Sequence, residues 1–367
     1  MEIFFIVVSI LYFLIHIVLF RGLRKSFSLN ILPGTVYPKV SVIVAARNEE
    51  DNILKCIESL AEINYPEELL EIILVNDKSD DRTFEIMKNS ERLHPSFKVI
   101  NSHKNESPNL KGKANAIDNA VDISTGDIIL MTDADCTVNP EWVKNTVRYY
   151  IPGTGMVCGF TLMNDRKSLF SVLQSADWLY LLSLASSSAG LNSILSCIGN
   201  NLSFSKEAYR FTGGYKLIKF SVTEDLALMR KINSGKNFRV SFPVDKNCLV
   251  YTNPCRSIQE VFSQKRRWFR GGTGINFLGY ITGAELYLMN FLLVSGLFFL
   301  NLKLYLFLIC IKIISELILL HKPVKEFGLT SFYFYYPLFM IYFAFTGLLL
   351  PWTFLAGSKI KWKGRKF

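Results

Sequence analysis

The seven cysteines, at positions 56, 136, 158, 197, 248, 255 and 310, are scattered, with no Cys-x-x-Cys pair among them. That spacing argues against a disulfide framework or a zinc site and fits a reduced cytosol. The chain also lacks Gly-x-Gly-x-x-Gly after its first strand-like run and has no Gly-Lys-Ser/Thr loop. Dinucleotide and P-loop chemistry are therefore disfavoured. There is no internal repeat and no low-complexity tract. No basic residues precede the amino-terminal apolar run and no small-residue cleavage site follows it, so the run does not read as a signal peptide. The formal net charge is +10, yet no clustered basic face with reader motifs accompanies it. No nucleic-acid partner is expected.

What the chain has in excess is apolar surface. Half of its 367 residues are hydrophobic and 14% are aromatic, too apolar for an ordinary soluble enzyme. The excess lies at the two ends. Residues 1–20 read as an uncleaved transmembrane anchor, with Arg21, Arg24 and Lys25 as its cytoplasmic flank. Residues 285–356 read as a block of two or three spans, with Asn301 in a candidate turn and residues 321–326 as a basic connector. Residues 357–367 form a basic tail expected in the cytosol. Three carboxyl-terminal spans would place that tail outside, so span parity and tail charge disagree. The expectation is an integral inner (plasma) membrane protein with a cytoplasmic catalytic domain, its positive charge drawn to an anionic leaflet.

Between the ends, residues 36–255 read as one domain. Val40–Ala46, Leu70–Val75, Phe97–Ile100 and Ile128–Met131 are apolar runs of strand length, each followed by a helical pattern. The alternation predicts an α/β fold with a mostly parallel sheet and active groups at the strand carboxyl ends. Asn48 is a candidate cap for the first of these helices, and Asn139-Pro140 for a later one. The fourth strand runs into Asp133 and Asp135. Two carboxylates so placed suit Mg²⁺ or Mn²⁺ completed by water and substrate phosphate; taken alone, such a pair more often marks a solvated turn. Thr223-Glu224-Asp225 leads a helix that Thr223 is a candidate to cap, and Glu224 and Asp225 taken alone read as acids favoured by the positive end of a first turn. The stripe Leu169, Val172, Leu173, Ala176 and Tyr180 reads as core or membrane-facing, without chemistry. Residues 256–284 contain an amphipathic interfacial segment. Ile258, Val261, Phe262, Trp268 and Phe269 are its apolar residues and Lys265, Arg266, Arg267 and Arg270 its basic ones.

Taken in order, these elements resemble the family-two inverting glycosyltransferases with a GT-A fold. The nearest branch is the membrane-embedded one of cellulose, hyaluronan and poly-N-acetylglucosamine synthases and ceramide glucosyltransferase. The resemblance covers about residues 38 to 272. It rests on Arg47-Asn48-Glu49, Asn76-Asp77-Lys78-Ser79, Lys111-Gly112-Lys113-Ala114, Asp133-Ala134-Asp135, Thr223-Glu224-Asp225 and Gln264-Lys265-Arg266-Arg267-Trp268. The last matches Gln-x-x-Arg-Trp. Each motif is weak alone; the ordered set between membrane segments is specific.

The resemblance implies a UDP-sugar donor and a lipid or glycan acceptor. It implies uracil recognition by Asp77, with Glu49 and Lys113 on the donor side, and a metal and diphosphate site at Asp133 and Asp135. Asp225, with Glu224 beside it, would be the catalytic base. Gln264 and Arg267 would stabilise the leaving diphosphate, and Trp268 would border donor and acceptor. Gly199 and Asn200 stand where the family has an acceptor segment, although Ser196–Asn201 matches that segment only in part. Asn76 replaces the family's usual first Asp. Few spans favour the transfer of one or a few sugars to a lipid. A processive polysaccharide synthase and an inactive membrane scaffold of the same fold are the alternatives.

Overall fold

Parallel strands covered on both faces need near-continuous apolar runs, and three segments supply them, broken inside the sheet only by the hydrogen-bonded Ser41 and Glu71 and by Thr132 before the polar strand ends: VSVIVAA, LEIILVN and IILMTD. They form adjacent strands in this computed structural model. It describes residues 2–33, 37–105, 107–164, 167–235, 237–272 and 275–355, together with 361–362 and 365–366. The first half of the chain runs α1 (Glu2–Phe27), β1 (Val40–Ala46), α2 (Ile53–Ala61), β2 (Leu70–Asn76), α3 (Thr83–Leu93), β3 (Phe97–Asn101), α4 (Lys113–Ile123), β4 (Ile128–Asp133), β5 (Cys136–Val138), α5 (Trp142–Val147), β6 (Thr154–Cys158) and β7 (Thr161–Met163). The second half runs α6 (Leu169–Gly190), β8 (Leu202–Ser205), α7 (Lys206–Phe211), α8 (Glu224–Ser234), β9 (Arg239–Ser241), β10 (Val250–Thr252), α9 (Ile258–Gly271), α10 (Phe277–Phe299), α11 (Leu302–Glu326) and α12 (Phe332–Leu355), then the short strands β11 (Lys361–Trp362) and β12 (Arg365–Lys366). The chain divides into two compact units. One is Leu29–Asn164 with Cys197–Asn253 and Lys361–Phe367; the other is Met1–Ser28 with Asp165–Ser196 and Pro254–Ile360.

In the first unit a seven-stranded sheet has the order β3-β2-β1-β4-β8-β6-β9. Strands β1 to β4 are mutually parallel. The order reverses between β1 and β4, which opens a crevice at their carboxyl ends. One core joins Val42, Val44, Ile72, Leu74 and Leu130 of the sheet to Ile53, Ile57 and Leu60 of α2 and to Trp142 and Val143 of α5. Each such aliphatic side chain contributes about 1.5–3 kcal/mol by burial. Strand β8 then pairs antiparallel with β4, Met131 lying opposite Leu202. The loop entering β8 is thereby delivered to the carboxyl end of β4. A three-stranded sheet, β5-β10-β7, completes the unit.

Three capping expectations change. Asn48 takes a left-handed φ of 52° and accepts from the Asp80 N–H at 2.9 Å, so α2 begins later, at Ile53. Asn139 accepts from the Glu141 N–H at 2.9 Å in a turn before α5 starts at Trp142. Thr223 stands at the N-cap of α8, but its hydroxyl bonds Ser221 instead.

In the second unit α1, α10, α11 and α12 are each long and apolar enough to cross a membrane. Phe5, Val8 and Tyr12 of α1 pack with Met289 and Leu292 of α10, Leu308 of α11 and Ala344 of α12. Asn301 caps α11, accepting from the Leu304 N–H at 3.0 Å. Helix α6 belongs to this unit and is mostly buried in it, capped by Ser168. Ser257 caps α9, and the Glu260 carboxylate accepts from the Arg256 N–H at 2.7 Å. The side chains of the basic tail, 357–367, lie outside the described residues.

Candidate active site

The carboxyl ends of β1, β2 and β4 carry the polar groups expected of them. After β2, Asp77 is buried, donates its N–H to the Ala46 carbonyl at 2.8 Å, and accepts from Ser102 Oγ at 3.0 Å. Ser102 follows β3, the neighbour of β2, and sequence reasoning missed it. Asn76 donates through Nδ2 to Asn101 Oδ1 at 2.7 Å and accepts from the Ser79 N–H at 3.1 Å. Asn76 makes both bonds because its amide carries a donor and an acceptor. After β1, Glu49 is buried; its N–H donates to Thr83 Oγ1 at 2.8 Å, and its carboxylate accepts from Asn52 Nδ2 at 2.9 Å.

Lys113 opens α4 directly after Gly112, whose φ of 55° turns the chain into the helix. Its ammonium pairs with Asp133 at the end of β4 and lies 3.5 Å from Glu224 at the start of α8. Burial opposes the lysine's charge, but Asp133, Glu224 and Asp225 outweigh it and hold the ammonium well above the usual lysine range. One cation thus joins two acidic clusters that are far apart in sequence. Asp135, two residues beyond Asp133, is half-buried. Burial and then the charge of Asp133 push its carboxyl up.

The Gly199 loop, brought to this edge by β8, lies against Asp225. A Cβ at position 199 would sit 3.0 Å from Asp225 Oδ2 and 3.3 Å from its Cγ. The carboxylate also accepts from the Leu226 N–H at 2.8 Å. Asn200 is buried, with its Oδ1 accepting from Thr161 Oγ1 at 2.8 Å. Asn201, which carried no role in the sequence reading, organises the loop. Its Nδ2 donates to the Phe160 and Cys248 carbonyls at 2.7 and 2.9 Å, and its Oδ1 accepts from Trp142 Nε1 at 3.1 Å.

Among the described residues no three His, Cys, Asp or Glu side chains converge as a metal cage. Two neighbouring half-buried carboxylates fit a hard cation that keeps waters and takes its remaining ligands from phosphate.

The second unit carries Gln264, Arg267 and Trp268 on α9, all half-buried. The Trp268 ring packs edge-on against Trp178 of α6, with centroids 5.4 Å apart. Lys265 departs from the sequence reading. It is buried within this unit and ion-paired with Asp177 at 2.5 Å, not displayed on a basic face. The signal was present: Lys265 falls in register with Val261 and Trp268, and Asp177 is the lone charge in α6.

The profile of glycosyl transferase family 2 matches residues 41–226. The poly-beta-1,6-N-acetyl-D-glucosamine synthase of Staphylococcus epidermidis is 25% identical over 278 residues, 74% of this chain and 63% of that protein. The beta-monoglucosyldiacylglycerol synthase of Synechocystis sp. is 25% identical over 241 residues, 64% of this chain and 48% of that protein. The chain thus spans less than two thirds of either relative. Among solved structures, a mannosyltransferase from Pyrobaculum calidifontis in complex with GDP-Man and Mn²⁺ superposes with a TM-score of 0.62 at 18% identity, covering 96% of this chain and 99% of that one. That likeness shows a shared GT-A fold. The family match runs from β1 through the acidic start of α8, taking in Asp77, Lys113, Asp133, Asp135, Gly199, Glu224 and Asp225, and on that basis the chain belongs to glycosyl transferase family 2.

Proposed function

We propose that this glycosyltransferase moves a sugar from a UDP-sugar to a membrane-associated lipid or glycan acceptor, with inversion, in one displacement. The observation that carries the reading is the junction of Asp133, Lys113 and Glu224, with Asp225 beside them in α8, at the carboxyl end of the parallel sheet. Asp77 accepts from the uracil N–H, with Glu49 supporting the same strand ends. Asp133 and Asp135 would hold Mg²⁺ or Mn²⁺, which would supply positive charge to the diphosphate. Lys113 faces the same phosphates and keeps its proton throughout. Asp225 takes the proton of the acceptor hydroxyl as that oxygen attacks the anomeric carbon; a base opposite the leaving group produces inversion. Glu224 holds Lys113 in place. The Gly199–Asn200 loop borders the acceptor.

Gln264, Arg267 and Trp268 are assigned to the leaving diphosphate and the sugar on their motif alone. A guanidinium binds diphosphate oxygens in bidentate fashion. The catalytic unit faces the cytoplasm, since Arg21, Arg24 and Lys25 close the first apolar helix.

The test is a donor screen on membranes holding the full chain. Radiolabelled UDP-glucose, UDP-N-acetylglucosamine, UDP-galactose and GDP-mannose are supplied with Mn²⁺ or EDTA, and the lipid and polysaccharide fractions are analysed by mass. Metal-dependent transfer from one UDP-sugar to lipid is expected. A long polymer product would select the processive alternative. Preference for GDP-mannose would overturn the donor assignment, and no turnover of any donor would favour the scaffold reading.

A further inference from the structure

Helix α6 carries one charge in 22 residues, Asp177, and its side chain is only 3% exposed. Its Oδ2 pairs with Lys265 Nζ at 2.5 Å, and the lysine is 8% exposed. Among the described residues Asp177 Oδ1 has no hydrogen-bond partner, so the ion pair is the carboxylate's main compensation for burial. The next residue of α6, Trp178, packs against Trp268. Two adjacent residues of α6 therefore hold two residues of α9 that stand three apart on one helix face. Two fixed points one turn apart set the rotation of α9 about its axis. Gln264 and Arg267 each precede one of those points by one residue. Both project about 100° away, on a second common face.

The clamp is anchored behind. Lys265 Nζ lies 5.9 Å from the Phe343 ring, and Phe343 stacks edge-on with Tyr180, one turn beyond Asp177, at 5.0 Å. The Tyr180 hydroxyl is 2.9 Å from His16 Nε2 and 3.3 Å from the Tyr12 hydroxyl. Tyr12 and Tyr336 each donate to the Glu316 carboxylate at 2.6 Å, and Lys312 pairs with it. Buried charge and hydroxyls thus tie α6 to α1, α11 and α12, and α6 in turn holds α9.

We propose that Asp177 is a positioning residue. Through Lys265, and with Trp178 against Trp268, it fixes the rotation at which α9 presents Gln264 and Arg267. The proposal rests on the reading of α9 as donor-side machinery.

The full chain in lipid nanodiscs is compared with the neutral pair Asp177→Asn/Lys265→Met and the reversed pair Asp177→Lys/Lys265→Asp; Arg267→Ala is the reference. Four quantities are read: the thermal midpoint, UDP affinity, kcat and KM with the UDP-sugar found in the screen, and the far-UV circular-dichroism exciton couplet of the Trp178–Trp268 pair. The neutral pair is expected to fold, bind UDP within about threefold of wild type, lose the couplet and lose about 30-fold in kcat. The reversed pair is expected to restore couplet and rate, and decides the matter if the neutral pair fails to fold. A folded neutral pair with wild-type kcat overturns the proposal, as does a lost rate with the couplet intact or a folded reversed pair without restored rate. If Arg267→Ala keeps the wild-type kcat, the donor-side reading of α9 fails and the clamp loses its catalytic role with it.

Discussion

Gly199→Ala isolates the placement of the proposed base. Gly199 is not among the glycines with positive φ, so alanine meets no backbone strain there. The added methyl would lie 3.2 Å from Asp225 Cβ, 3.3 Å from Cγ and 3.0 Å from Oδ2. Carbon pairs rest at about 3.5–4.0 Å, so Asp225 must retreat by about 0.3–0.5 Å. A misplacement of about 1 Å costs on the order of 10²-fold. Scaled to the smaller shift, kcat should fall about 4- to 10-fold, or about 0.8–1.4 kcal/mol of transition-state stabilisation. Overpacking should cost about 1 kcal/mol of stability, the low end of its range. UDP affinity should stay unchanged, because the three atoms nearest the added methyl all belong to Asp225. The assay is single-turnover transfer at saturating donor, in wild-type and Asp225→Asn backgrounds. In the Asp225→Asn protein the alanine should add little, since the group it displaces has already lost its function. Equal losses in both backgrounds, or a loss confined to donor KM, would refute the reasoning.

Asp135→Ala should abolish Mn²⁺-dependent UDP binding while the sheet unit stays folded; titration calorimetry of wild type with and without EDTA checks this, and identical affinities would remove the metal from the site. Asp77→Ala should weaken UDP by about 1.5–3 kcal/mol, the range for a hydrogen bond to a charged group, whereas GDP competing as well as UDP in wild type would cancel uracil recognition. Arg267→Lys should be nearly as damaging to transfer as Arg267→Ala, because lysine keeps the charge but not the planar fork; a near-wild-type lysine variant would reduce Arg267 to a generic cation. Glu71 offers a pH test. Burial raises its carboxyl pKa, but hydrogen bonds from Ser41 Oγ and the Thr125 N–H and hydroxyl outweigh that and hold it below its ordinary value of 4.5. A folded pKa below the unfolded one stabilises above the unfolded value and is lost as pH falls through the folded value. Chemical unfolding from pH 6 downward should therefore show wild type losing stability below about pH 4.5 and Glu71→Gln losing less; parallel curves would refute it.

The sequence by itself determined the parallel half of the sheet. Near-continuous apolar runs in β1, β2 and β4, alternating with helical patterns, read as interior parallel strands, and Asp77 and Asp133 stand where those runs end. The long apolar helices and the order of the motifs were equally local properties. Tertiary structure alone decided which groups meet. Local periodicity reports that a residue faces inward, not what it faces. The antiparallel entry of β8 beside β4 is a long-range pairing, and it carries Gly199 to Asp225. Lys113 joins Asp133 to Glu224 only because α4 and α8 converge on one strand end. Asn48 turned the chain instead of capping a helix, since Asp80 on the adjacent loop offered its N–H. Lys265 reads as a surface cation until α6 supplies Asp177: a buried charge needs a partner, and the partner of this one lies on a helix that the sequence marks only as apolar.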